Sequence, residues 1–125
     1  MLRKLYNWLA GVEPLPPDEK LAFKVMLETR EIGTLTADKG EWTFLYSDEF
    51  RGQTEIKPIA DFPDVKRLYR SRTLWPFFAL RIPSPEQPAV REFIRSLPHK
   101  KPDEGILLQE FGERSIANPF RLVPV

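Results

Sequence analysis

Cysteine is absent from this chain of 125 residues, histidine occurs once and glycine only six times. Without cysteine there is no disulfide framework, no thiolate nucleophile and no cysteine-based zinc site, and a reducing compartment is the natural setting. The single imidazole, His99, sits in Pro98-His99-Lys100-Lys101, which reads as an exposed basic connector. It has no partner set for a metal site, which needs clustered His, Cys or carboxylates. No Gly-x-Ser-x-Gly elbow is present. The scattered glycines fit neither the Walker loop nor the dinucleotide fingerprint. The adjacent acids Asp48-Glu49 and Asp103-Glu104 fall in a loop and at a helix start, where solvation and the helix dipole account for them. The expectation is therefore a non-enzyme with no cofactor and no metal.

Long apolar runs are also missing. Nothing approaches the roughly 18 residues of a membrane span. At the N-terminus, Tyr6-Asn7-Trp8 interrupts the stretch a signal peptide would need, and Pro14, Pro16 and Pro17 follow. These features predict a cytoplasmic protein.

What is there suits one domain of ordinary size. Hydrophobic residues make up 42% and charged residues 30%, and nine Phe, three Trp and three Tyr supply core material. The net charge is only +1, but between Val65 and Lys101 nine basic residues face two acidic ones. A local excess of this kind suits nucleic acid, an acidic protein surface or plain solvation.

Along the chain, residues 1–12 carry Leu2, Leu5, Tyr6 and Leu9 at helical spacing, and residues 13–19 form a proline-rich linker. The division predicted is a short helix plus linker over 1–20 and one domain over 21–125. Leu21, Phe23, Val25 and Leu27 alternate with Ala22, Lys24, Met26 and Glu28, the period of a half-buried strand. A turn at Thr29-Arg30-Glu31 leads to a second strand, Ile32–Thr36. A glycine turn at Asp38-Lys39-Gly40 leads to a third, carrying Trp42, Phe44 and Tyr46. Glu55–Ala60 reads as a fourth strand, held to an edge by Pro58. Ser84-Pro85-Glu86-Gln87 reads as the capped start of a helix with Val90, Phe93, Ile94 and Leu97 on one face. Asp103 caps a second helix carrying Glu104, Leu107, Leu108 and Phe111, with Gly112 at its end. The tail from Ile116 is apolar and extended, with Pro119 and Pro124 limiting its pairing. The predicted fold class is α+β: an antiparallel meander with two or three helices packed against it.

Two segments rise above this background. In Lys66-Arg67-Leu68-Tyr69-Arg70-Ser71-Arg72, cations interleave with Tyr69, which suits phosphate contact and base stacking or simply a basic surface. In Leu74–Pro83, Trp75, Phe77 and Phe78 crowd three rings into four positions. Phe77 and Phe78 read as core. Trp75 is either a cap on the core or an anchor for a partner, since Pro76 biases it away from the helical region. The candidate partner-binding residues are Trp75, Phe77, Arg72, Arg70 and Tyr69.

The order of motifs resembles the N-terminal subdomain of HipA-type serine/threonine kinase toxins. Ile32-Gly33-Thr34-Leu35 followed by Trp42–Tyr46 is similar to its paired "vG-x-L" and "F-x-Y" strands. Pro76-Phe77-Phe78 is similar to its "P-F-F" segment, and Ile106–Arg114 to its "L-L-x-x-x-G-R-D" helix end. Leu80-Arg81-Ile82-Pro83-Ser84 stands where that family carries "L-L-P-E-G". The resemblance covers about residues 21–125, and the chain stops where the kinase core would begin. It implies a stand-alone, HipS-like antitoxin that binds and restrains a HipT-like kinase, with a HipB-like DNA-binding protein in a larger complex. Direct nucleic-acid binding through residues 65–101 is the alternative. No membrane contact is implied.

Overall fold

The computed structural model describes residues 20–97 and 103–125. The segments 1–12 and 13–19, and the connector with His99, lie outside the described residues.

Three consecutive strands form the centre. β1 (Leu21–Leu27), β2 (Arg30–Asp38) and β3 (Glu41–Tyr46) pair antiparallel as a meander. β4 (Tyr69–Ser71) adds to β3 and β5 (Arg121–Pro124) adds to β1, giving the order β4-β3-β2-β1-β5. The period-2 pattern is why these segments are strands: Phe23, Val25, Leu35, Ala37, Trp42, Phe44 and Tyr46 all bury on one face. The expectation of an α+β fold with an antiparallel sheet is met.

The turns are tighter than the sequence suggested. β1 and β2 are joined at Glu28-Thr29, with Glu28 at φ 55°, rather than at Thr29–Glu31. Lys39 and Gly40 both take positive φ, 52° and 76°. That is the primed geometry that matches the twist of the flanking strands. The register slips between Val25 and Met26, so Ile32 is an extra residue in β2. This bulge lets Ile32 and Gly33 bury side by side.

Among the described residues four helices follow: α1 (Asp48–Arg51), α2 (Pro76–Ala79), α3 (Pro88–Ser96) and α4 (Glu104–Phe111). α1 and α2 are single turns. Phe50 of α1, Phe78 and Ala79 of α2, and Leu108 of α4 join the sheet residues in one core. α3 does not reach that core. Its Val90 meets Leu107 of α4 in a second cluster with Phe93, Ile94 and Phe111. α4 thus lies between sheet and α3, using Leu108 one way and Leu107 the other. The expected start of α3 at Ser84-Pro85 is corrected: Pro88 occupies the first turn, with Gln87 before it and no side-chain cap. Ser84 Oγ instead accepts from Glu86 N–H in a local turn. Asp103 does cap α4, its Oδ1 accepting from Ile106 N–H at 2.9 Å.

The fourth strand expected at Glu55–Ala60 is not formed. Residues 52–68 instead run as an irregular excursion over the core, closed by side chains rather than by a ladder. The Tyr46 hydroxyl donates to Phe62 O at 2.7 Å and accepts from Ile59 N–H at 2.9 Å. The Gln53 amide donates to Ile56 O, and its oxygen accepts from Ile56 N–H. Phe62 drops fully into the core, stacked on Phe44 at 4.4 Å between centroids.

Burial pushes the Tyr46 hydroxyl pKa up to about 12, against an ordinary value of 10.0. The native state therefore holds this proton through a range in which the unfolded chain releases it. The contribution is complete below pH 10 and is lost as pH rises from 10 to 12, by up to about 3 kcal/mol. Urea unfolding across that range is expected to show stability falling faster in the wild type than in Tyr46→Phe, which lacks the group. Parallel curves would show that Tyr46 holds no such proton. At neutral pH the same variant should cost about 1–3 kcal/mol, because it strands the Ile59 N–H and the Phe62 carbonyl.

Candidate docking surface

The crowded rings sort themselves by the geometry of α2. Trp75 is the residue before its first turn, in the extended region that Pro76 imposes, and Pro76 leads the helix. The Asp61 carboxylate accepts from Phe77 N–H at 3.1 Å and fixes this turn to the excursion. Phe78 then points straight into the core and is fully buried. Trp75 and Phe77 are half-buried and packed against that core. The Trp75 ring meets Phe62 edge-on at 4.9 Å, and Tyr69 meets the same ring at 5.0 Å. Phe77 packs edge-on against Phe120 at 5.6 Å.

On the other side of α2 a groove of about 370 Å³ opens between the excursion, α2 and the segment before β5. Pro58, Ile59, Pro76, Phe77, Leu80 and Phe120 line its apolar part. Leu80, on its rim, is 71% exposed. Leu80 was not among the expected site residues. Its signal was the i, i+3 spacing from Phe77, which places both on one helix face once a helical turn is assumed at Pro76. Ile59 and Phe120 come from distant segments, and only tertiary structure brings them here.

Arg81 fixes the far wall. It is 4% exposed, and its guanidinium donates to the carbonyls of Gly112 (3.4 Å) and Glu113 (3.2 Å) and to Asn118 Oδ1 (2.8 Å). It also lies over the Phe77 ring, 5.4 Å from its centroid. Burial lowers its pKa from the ordinary value. One buried cation thereby ties α2, the end of α4 and the Asn118 loop together.

The expected site residues therefore split in two. Tyr69, Trp75 and Phe77 gather around the Phe62–Phe78 core, and of the three only Phe77 lines the groove. Arg70 and Arg72 do not join them. They border a polar hollow at the other surface of the sheet with Thr36, Thr43, Lys39 and Glu41. Arg70 pairs with Glu41 at 3.2 Å, and the Thr36 and Thr43 hydroxyls bond to each other.

Among the described residues no group of three His, Asp or Glu could hold a metal ion, and no helix is long and apolar enough to cross a membrane. The family described as HipA N-terminal domain matches residues 23–117. The chain belongs to this family. The match begins in β1 and takes in the rest of the meander, α2 and α4, and it stops before Asn118 and Phe120 of the groove and before β5. No curated protein matches the chain.

Proposed function

We propose that this chain is a protein-binding module without catalysis of its own, an antitoxin or regulatory subunit. In this reading it docks on a HipA- or HipT-like serine/threonine kinase and restrains it, with a HipB-like DNA-binding protein in a larger complex. The observation that carries the reading is the groove beside α2 in a HipA N-terminal domain. It is an apolar, partly open surface with a large aliphatic side chain left standing in water. Such a patch on a small domain commonly marks a protein contact. Trp75 is not part of the groove lining, but it directly precedes Pro76, which is, and stands rooted on Phe62 as a partly exposed ring.

The test is binding to a HipA-like kinase that lacks its own N-terminal subdomain, with kinase autophosphorylation as the second readout. Wild-type chain is expected to form a complex and depress autophosphorylation. Leu80→Asp should weaken the complex at least tenfold, while the melting temperature hardly moves, since surface changes stay within about 0.5 kcal/mol. Trp75→Ala is a less clean probe, because its ring also packs on Phe62 and its loss affects folding. A wild-type chain that neither binds nor inhibits such a kinase would end this reading.

A further inference from the structure

Among the described residues β4 is an edge strand. Beyond its ladder with β3, the backbone of Tyr69–Ser71 makes no hydrogen bond to any other described residue. The strand and its immediate flanks, residues 66–72, carry four cations and no acid. Arg70 has an ion-pair partner in Glu41, and Arg67 lies over the Tyr69 ring at 5.3 Å. Lys66 and Arg72 are exposed and pair with no described carboxylate. Between them Leu68 is 42% exposed.

We propose that this edge receives an extended, acidic segment of a partner protein as a sixth strand beside β4. Open backbone groups on a sheet edge are a template for strand addition, and side chains of the added strand supply specificity. Here the cations select carboxylates, and exposed Leu68 offers an apolar contact between them. The same charge excludes the commonest rival, a second copy of this chain. Pairing two such edges would set like charges against each other with no acid in either segment. The edge is short, so few backbone bonds form, and affinity leans on charge. This surface lies on the strand side of the molecule, separate from the groove lined by Leu80. The inference thus stands or falls independently of docking at that groove.

The probe is a short synthetic peptide of alternating glutamate and valine, added to the full chain and followed by backbone amide shifts and hydrogen exchange. The expected result is slowed exchange at β4 amides and an affinity that falls severalfold as salt rises from about 0.05 to 0.2 M, as screening requires. An alternating lysine–valine peptide should not bind. Triple charge reversal, Lys66→Glu with Arg67→Glu and Arg72→Glu, should weaken the acidic peptide at least tenfold. Three outcomes would overturn the inference: β4 amides unchanged by the acidic peptide, equal binding of the lysine peptide, or preferential binding of a single-stranded oligonucleotide at these residues. All three are read on the wild-type chain, so the test does not depend on the variant folding.

Discussion

Arg81→Ala is expected to destabilise the fold by about 2–3 kcal/mol, the scale of lost hydrogen bonds from a charged donor together with a large-to-small void. The guanidinium satisfies the Gly112 and Glu113 carbonyls and Asn118 Oδ1 at once. With the side chain gone, the Gly112 carbonyl loses this donor, while the Glu113 carbonyl still accepts from Leu122 N–H and Asn118 Oδ1 from Phe120 N–H, and the space the side chain filled against Phe77 becomes a void. Arg81→Lys should recover only part of this, because an ammonium on a flexible stem cannot present a fixed fork to three acceptors. Arg121→Ala is the control. Arg121 pairs with Glu113 at 3.2 Å, but both side chains are well exposed, so its loss should cost less than about 1 kcal/mol. Urea unfolding of the three variants checks the ranking. Equal losses for Arg81→Ala and Arg121→Ala would show that the buried network adds nothing to the fold.

Arg81 stands in the stretch where the family pattern carries other residues, and nothing in its local sequence announces a buried cation. Its acceptors lie more than 30 positions away. The meander is different, because alternation of apolar side chains is a local property that survives folding unchanged. Phe23, Val25, Trp42, Phe44 and Tyr46 could be placed on one face from spacing alone. β4 could not: Tyr69-Arg70-Ser71 has no alternation and becomes a strand because β3 offers it an edge. Glu55–Ala60 has strand-like composition, yet the Tyr46 hydroxyl and Gln53 satisfy backbone groups of the excursion around it without a ladder. At α3, two prolines competed for the first turn. Pro88 won, which puts Val90 opposite Leu107.

The candidate surface was half legible for the same reason. Tyr69, Trp75 and Phe77 are neighbours in sequence as well as in space, and all three root on the core through rings contributed by Phe62 and Phe78. The groove, in contrast, is made where three segments meet. The cations of residues 66–72 were visible as a cluster, but their position on a sheet edge, away from the groove, follows only from β4 joining the sheet.

Gly33→Ala is expected to destabilise the fold by about 3 kcal/mol, at the upper end of the usual range for overpacking. Gly33 pairs with Tyr46 of β3 and with Val25 of β1 beside the bulge at Ile32. A Cβ built there would lie 2.6 Å from the Leu45 carbonyl oxygen and 2.8 Å from the Phe44 ring. The ring is packed against Tyr46, Phe62 and Phe78 and has nowhere to swing. The carbonyl belongs to the central ladder, so relief would require moving β3 away from β2. This gives a physical reason for glycine in the Ile32-Gly33-Thr34-Leu35 motif: the backbone conformation is ordinary, and it is the close approach of β3 that excludes a side chain. Gly52→Ala is the matched control. There the nearest atoms to an added Cβ are 3.6 and 3.8 Å away, ordinary contacts, so the change should be nearly neutral. Thermal unfolding of the pair is expected to show a melting temperature lower by on the order of 10 °C for Gly33→Ala and little change for Gly52→Ala. If both variants melt together with the wild type, the close approach of β2 and β3 at Gly33 does not constrain the fold.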